Sequence, residues 1–250
     1  MSDQENVSFG FRQVSPPEKT RLVQDVFARV ANRYDVMNDL MSAGTHRLFK
    51  RMAVEMTGLG VGECVLDLAG GTGDMARLLA PVVGDEGLVA LTDLNGEMMA
   101  VGRDRLLDQG LTNVRFCRAR AEALPYANGS FHAVTISFGI RNFTSKETAL
   151  REIRRVLRPG GVLVILEFSQ PEDPLLGSLY RGFQALWPLF GRAVVGDAQP
   201  YQYLVESIEK HPRPAALALM MEDAGFTDVR HHPLAGGVAT IHRGVKPDDA

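Results

Sequence analysis

The sequence predicts an α/β protein, a mostly parallel central sheet with helices on both faces and an N-terminal helical cap, and three observations carry that expectation. From Glu63 onward, short apolar runs alternate with helix-like segments, as in sheets whose strands are covered on both faces by crossover helices. One run, Val65-Leu66-Asp67-Leu68, feeds straight into the glycine-rich stretch Ala69-Gly70-Gly71-Thr72-Gly73. Open sheets of this type place a ligand at such a strand end. Ahead of Glu63 lie two stretches of helical periodicity and no strand-like run.

In chain order the first signal is Ser15-Pro16-Pro17-Glu18. Ser15 can cap a helix, Pro16 suits its first position and Glu18 can complete a capping box. Leu22, Val23, Val26, Phe27 and Val30 then recur at the helical period, and Leu48, Phe49, Met52, Ala53 and Met56 form a second apolar face. Residues 1–62 read as a helical cap that is not independent. Strands follow at Cys64–Leu68, Leu88–Leu91, Val114–Cys117, Phe131–Ile136 and Val162–Phe168. Beyond them, helical segments are expected around Leu175–Phe190 and Pro214–Ala224, then strands at Asp228–His232 and Gly237–His242. Residues 63–250 form one domain with an apolar insertion at about 174–214, and no repeat or low-complexity linker divides it. His231 and His232 are adjacent on a strand and point to opposite faces, so together they cannot clasp one metal ion. No metal site is expected.

Composition narrows the partners. The chain of 250 residues is 45% apolar and 23% charged, which is globular. Lys plus Arg total 27 against 30 Asp plus Glu, so no basic field attracts a phosphate backbone and nucleic acid is not an expected partner. Cys64 and Cys117 lie in apolar runs and form neither a disulfide framework nor a zinc set, which fits a reducing compartment. The polar N-terminus shows no export signal. The apolar run Val162–Leu166 is far below the ~18 residues that span a bilayer. A cytoplasmic protein is expected, with peripheral contact at the inner membrane face left open.

Gly71, Gly73 and Ala76, with Asp93 about 20 residues on, satisfy a relaxed dinucleotide pattern. Asp74, however, follows the last glycine directly and Asp67 stands just upstream, where a pyrophosphate would be repelled. A sulfonium and an α-ammonium would instead find carboxylates there an advantage, which favours S-adenosylmethionine. Asp93 is placed to accept both ribose hydroxyls with either cofactor. None of the five tyrosines has a lysine four residues on, so the hydride-handling pair of one large dehydrogenase class is missing.

Three longer stretches sharpen this: Tyr34 to Phe49, Arg155 to Ser169, and Thr135-Ile136-Ser137-Phe138-Gly139-Ile140-Arg141-Asn142. The strand–loop set resembles class I S-adenosylmethionine-dependent methyltransferases, whose fold is Rossmann-like, and these stretches resemble its ubiquinone/menaquinone biosynthesis C-methyltransferases of UbiE type. The resemblance runs from about Phe9 to Gly244. It implies a cofactor pocket of Asp67, Gly71, Thr72, Gly73, Asp93, Arg120, Ala121 and Ser137. Two departures stand out. Phe49 replaces the family's usual tryptophan, and Arg120 stands where an Asp or Asn usually faces the adenine amino group. A guanidinium cannot accept that hydrogen bond, which moves adenine recognition to the backbone amide of Ala121.

The resemblance further implies a prenylated quinol substrate methylated on a ring carbon, which requires stabilising a phenolate. Arg141 and Asn142, just past the fourth strand, can supply charge and donors. Tyr34 and His46 can close over the ring, with His46 or a held water taking a proton. Each has a plainer reading: Arg141 as an ion-pair partner, Tyr34 as packing, His46 as a satisfied core histidine. A homo-oligomer or a quinone-biosynthesis complex is open as a partner. A nicotinamide-dependent oxidoreductase and a noncatalytic cofactor-binding protein on the same fold remain the alternatives. The insertion, finally, holds Trp187 and is broken by Gly177, Gly182 and Pro188. Either it is a pliable apolar wall for the prenyl tail, or Leu175, Leu179, Phe183 and Leu186 pack on the sheet.

Overall fold

The computed structural model describes residues 6–31, 38–39, 41–42, 44–194 and 196–248. Its central sheet is built from β3 (Cys64–Leu68), β4 (Leu88–Asp93), β5 (Val114–Arg118), β6 (Phe131–Ser137), β7 (Leu157–Phe168), β8 (Thr227–Leu234) and β9 (Ala239–Val245). The spatial order is β5-β4-β3-β6-β7-β9-β8. The first five run parallel, and β9 inserts antiparallel between β7 and β8. The expected mostly parallel sheet is therefore present, in the expected chain order. Val65, Leu66, Val134, Ile136, Leu163 and Ile165 are fully buried, because helices α3 (Asp74–Val83), α4 (Gly96–Asp108), α5 (Lys146–Val156) and α9 (Pro214–Asp223) cover both faces. Strand order reverses between β3 and β6, which opens a crevice at their carboxyl ends.

The N-terminal region holds more than helices. A hairpin, β1 (Val7–Phe9) with β2 (Arg12–Val14), precedes the cap, and its three-residue strands are too short to leave a period-2 signal in the sequence. Helix α1 (Pro16–Val30) begins as expected, with Ser15 accepting the Glu18 amide. Helix α2 (His46–Glu55) buries Phe49, Lys50 and Ala53. Leu48 was expected on that apolar face and instead faces solvent, 58% exposed. The buried stripe runs through His46, Lys50, Ala53 and Val54, so two polar residues take positions that hydrophobicity alone assigns to their neighbours.

The 174–214 region is three helices: α6 (Pro174–Gln184), α7 (Trp187–Val194) and α8 (Gln199–Lys210). Two details of the sequence readings need correction. Trp187 is fully buried against Phe168, Tyr180 and Phe183, so it belongs to the core rather than to a pliable wall. Leu175, Leu179, Phe183 and Leu186 do not pack on the sheet; all four are exposed. His231 pairs across the ladder with His242, and no group of three metal-ligating side chains occurs among the described residues. No helix among them is long and apolar enough to cross a membrane.

Candidate active site

An open cleft lies over the carboxyl ends of β3, β4 and β6. Its floor is the glycine-rich turn. Gly73 takes φ 80° as the N-cap of α3, and Gly71 takes φ 52°; a side chain there would be strained. Two non-glycine residues at the same strand ends, Ala69 and Phe138, also have left-handed φ, 56° and 57°, and both line the cleft. Such strained backbone concentrates at ligand sites. Helix α1 forms the opposite wall through Thr20, Val23, Gln24 and Phe27. Gln24 donates to Leu94 O at 3.3 Å, Asn95 donates to Gln24 O at 3.1 Å, and Lys19 Nζ donates to Phe143 O at 2.8 Å. The cap is thus clamped to the loops on both sides of the cleft.

Three carboxylates line it, in different states. Asp67 is fully buried; Ala76 N–H donates to it at 3.1 Å and the Thr135 hydroxyl at 3.2 Å. Burial outweighs these bonds and the charge of Lys50, and pushes its pKa up to about 7. Asp93 accepts Gly71 N–H at 2.9 Å and Asn95 N–H at 2.8 Å. Burial raises its pKa as well, against those same amides. Each of its oxygens keeps a lone pair for a ligand hydroxyl. Asp74 corrects the sequence argument. It is no free negative charge, because Lys50 Nζ lies at 2.8 Å and Arg105 at 3.0 Å. Burial pushes its carboxyl up, but the two cations outweigh burial and hold it below the usual range. Lys50 is the residue sequence reasoning missed. It is buried, lines the cleft, and stands 5.9 Å from the Phe138 ring centroid. A lysine on the inward stripe of an amphipathic helix was the available signal, since a buried charge requires a partner.

Thr72, Gly71, Arg120, Ala121 and Ser137 also line the cleft, so every expected cofactor residue except Gly73 borders it, and Gly73 caps the helix beneath. Ser137 Oγ is buried there without a hydrogen-bond partner. An orphaned hydroxyl in an open cleft fits an incoming polar group. The donor set as a whole suits a molecule bearing hydroxyls and positive charge, as S-adenosylmethionine does. Arg120 turns its guanidinium toward Glu122, 3.6 Å away, and is half exposed.

Arg141 and Asn142 form a short 3₁₀ turn after β6. Asn142 reaches the cleft and accepts the Tyr203 hydroxyl at 3.0 Å. Arg141 is buried one layer behind. Its Nη1 contacts Glu167 Oε1 at 2.7 Å and the Phe138 carbonyl, and its own amide donates to Glu167 Oε2 at 3.3 Å. Its Nε lacks a partner. It lines a second, small pocket with Val26, Val30, Asn38, Met41, Tyr203 and Leu204. Phe27 borders both cavities. Glu167 was missed although it is the only charge in the run Val162–Phe168. His46 lines neither cavity. Its Nδ1 lies 2.8 Å from the Ser42 hydroxyl and its Nε2 3.7 Å from Asp39, and burial with the Lys50 charge lowers its pKa despite Asp39. Tyr34 lies outside the described residues.

Comparison with known proteins agrees with this architecture. The C-methyltransferase UbiE of Ectopseudomonas mendocina, which acts in ubiquinone/menaquinone biosynthesis, is 50% identical over 241 residues, 96% of this chain and 94% of that one. Its namesake from Cellvibrio japonicus is 47% identical over 249 residues, 99% of this chain and all of the other. An S-adenosylmethionine-dependent methyltransferase from Aquifex aeolicus shares the fold, with a TM-score of 0.54 at 18% identity over 93% of this chain and 99% of that one. The cofactor is S-adenosylmethionine, and the oxidoreductase reading has no support. The model of the ubiE/COQ5 methyltransferase family matches residues 13–246, and the chain belongs to that family of enzymes.

Proposed function

We propose that this methyltransferase acts on a ring carbon of a 2-polyprenyl benzoquinol, a demethylmenaquinol, or both. The observation that carries the reading is the junction at Phe27 of a polar cleft over the glycine-rich turn with a small, mostly apolar pocket, no larger than a water, in which Arg141 is the charged residue and Asn38 a further polar one. A quinol ring with an apolar tail has that same division. Asp93 would hold the ribose of the cofactor, Ser137 and Thr72 its polar tail, and the Ala121 backbone its adenine. When bound, S-adenosylmethionine supplies a methyl group activated by its sulfonium.

The chain's own residues then have three tasks. The quinol hydroxyl must ionise, its proton passing to solvent, so that charge moves to the ortho ring carbon that accepts the methyl. Arg141, through its free Nε, and Asn142 stabilise the resulting oxyanion. Glu167 holds the guanidinium in position and tempers its charge. The clamped α1 wall excludes water, which would otherwise compete as nucleophile. The proton displaced from the ring carbon leaves to a held water, since His46 is engaged with Ser42. A substrate with a polyprenyl tail is dissolved in a bilayer, so turnover brings the enzyme to a membrane surface.

Label transfer tests the reading. With methyl-labelled cofactor and a short-tailed quinol kept reduced, label should appear on ring carbon; the oxidised quinone, lacking an ionisable hydroxyl beside that carbon, should take none. Equal labelling of both forms, or label on oxygen, would overturn it.

A further inference from the structure

Helix α6 is built inside out. Its buried residues are Gly177, Tyr180 and Gln184, of which two are polar. Its outward stripe is Leu175, Leu179 and Phe183, at i, i+4 and i+8, and continues through Leu186 and Leu189 beside α7. Leu175 is 72% exposed, Leu179 65% and Leu189 61%. Among the described residues ten large apolar side chains are exposed, and five of them are these. Single exposed leucines are ordinary, whereas a contiguous patch marks a contact surface.

The charges beside the patch indicate what it contacts. Between Pro174 and Val194 the only charged residues are Arg181 and Arg192, and both are exposed. The chain as a whole carries a net charge of -3. An apolar strip whose two helices carry only basic charges, the acids Glu172 and Asp173 standing at the N-terminal end of α6, complements an anionic bilayer, leucines entering the acyl boundary and guanidinium groups meeting headgroups. The patch is also continuous with the site. Phe183 meets Trp187 at 5.9 Å between ring centroids, Trp187 meets Phe168 at 6.3 Å, and Phe168 stacks at 4.3 Å on Phe138, which lines the cleft.

We propose that the outer face of α6 and the α6–α7 junction is the surface by which this enzyme docks on an anionic membrane. The proposal rests on the reading that the substrate carries a bilayer-dissolved tail. The full chain is sedimented with vesicles of phosphatidylcholine alone and with vesicles enriched in phosphatidylglycerol. It should bind the second preferentially and release with added salt. The pair Leu175→Ser and Leu179→Ser together should weaken that binding roughly tenfold or more, and Arg181→Glu by at least about fivefold. Melting temperature and methylation of a tail-less quinol should not change in either variant, while methylation of a prenylated quinol in vesicles should fall. Failure of the wild-type chain to sediment with anionic vesicles, or unchanged binding in the double serine variant, would overturn the proposal. So would a wild-type dimer that this variant converts to monomer, since a second copy would then cover the face. A chain that binds anionic vesicles yet methylates no quinol would overturn the functional reading and leave the docking surface standing.

Discussion

Asp93 ends β4 with both oxygens already accepting backbone amides, which fixes the carboxylate before any ligand arrives. If it also receives two ribose hydroxyls, its charge-assisted bonds are worth about 1.5–3 kcal/mol in total effect. Asp93→Ala should then weaken S-adenosylmethionine binding by roughly tenfold to a hundredfold in calorimetric titration, and unchanged affinity in a folded variant would remove Asp93 from the site. Arg141 needs a different design. Truncating it would strand the buried Glu167 carboxylate, at a cost of about 3–5 kcal/mol, and confuse folding with function. Arg141→Lys keeps a cation for Glu167 but removes the planar fork with its unpartnered Nε. A lower kcat with unchanged cofactor affinity and unchanged melting temperature is expected, and full activity would remove the arginine from the reaction. The positions of Asp93 and Arg141 at strand ends were legible in the sequence, because strand and turn chemistry mark them. The partner of Arg141 was not. Glu167 is 26 residues further along, and only the β6–β7 register, with Ser137 opposite Leu166, brings the two together.

At the scale of elements, the parallel strands were legible because each is a short apolar run bounded by turn residues. The insertion was not, because helical spacing of leucines says that they share a face and not which way the face looks. In α6 the face that packs inward is the one carrying Tyr180 and Gln184, and it leads to Trp187. Trp187 is enclosed by Phe168, Tyr180 and Phe183, and its indole nitrogen finds no hydrogen-bond partner. Trp187→Ala should therefore cost about 3–5 kcal/mol through the cavity it leaves. Trp187→Phe should cost far less, because it keeps a ring and removes an unsatisfied donor. Denaturant midpoints measure both. Comparable losses in the two variants would show that the indole nitrogen is satisfied and that its bond, rather than packing, anchors α6 and α7.

Across the whole molecule, buried ionisable groups set opposing limits on stability. His242 lies under α9, its Nε2 donating to Pro214 O at 2.9 Å while its Nδ1 has no partner. Burial is the main cause that lowers its pKa to about 4, and the nearby His231 and His232 add to it against the Pro214 carbonyl. His211 is lowered well below its usual value, chiefly by burial and then by Lys146 and Arg141. A histidine whose folded pKa lies below its unfolded value stabilises the fold fully above about pH 6.5 and loses that contribution as pH falls toward the folded value. Asp67 acts in reverse. Its pKa, raised to about 7, favours the fold below about pH 4 and loses that contribution as pH rises through 7. Between about pH 7.5 and 5 the loss therefore belongs to the histidines, while Asp74, held below its usual range, loses its contribution at lower pH. Lowering the pH from about 7.5 to about 5 should cost on the order of 2 kcal/mol through His242 alone. His242→Gln retains a side-chain N–H for Pro214 O and carries no titratable proton. Urea unfolding at those two pH values should show the variant losing less stability on acidification than the wild-type chain, by about that amount. An identical loss in both would mean that His242 does not titrate within the fold, and would move this part of the acid loss to His211, lowered by burial and by Lys146 and Arg141.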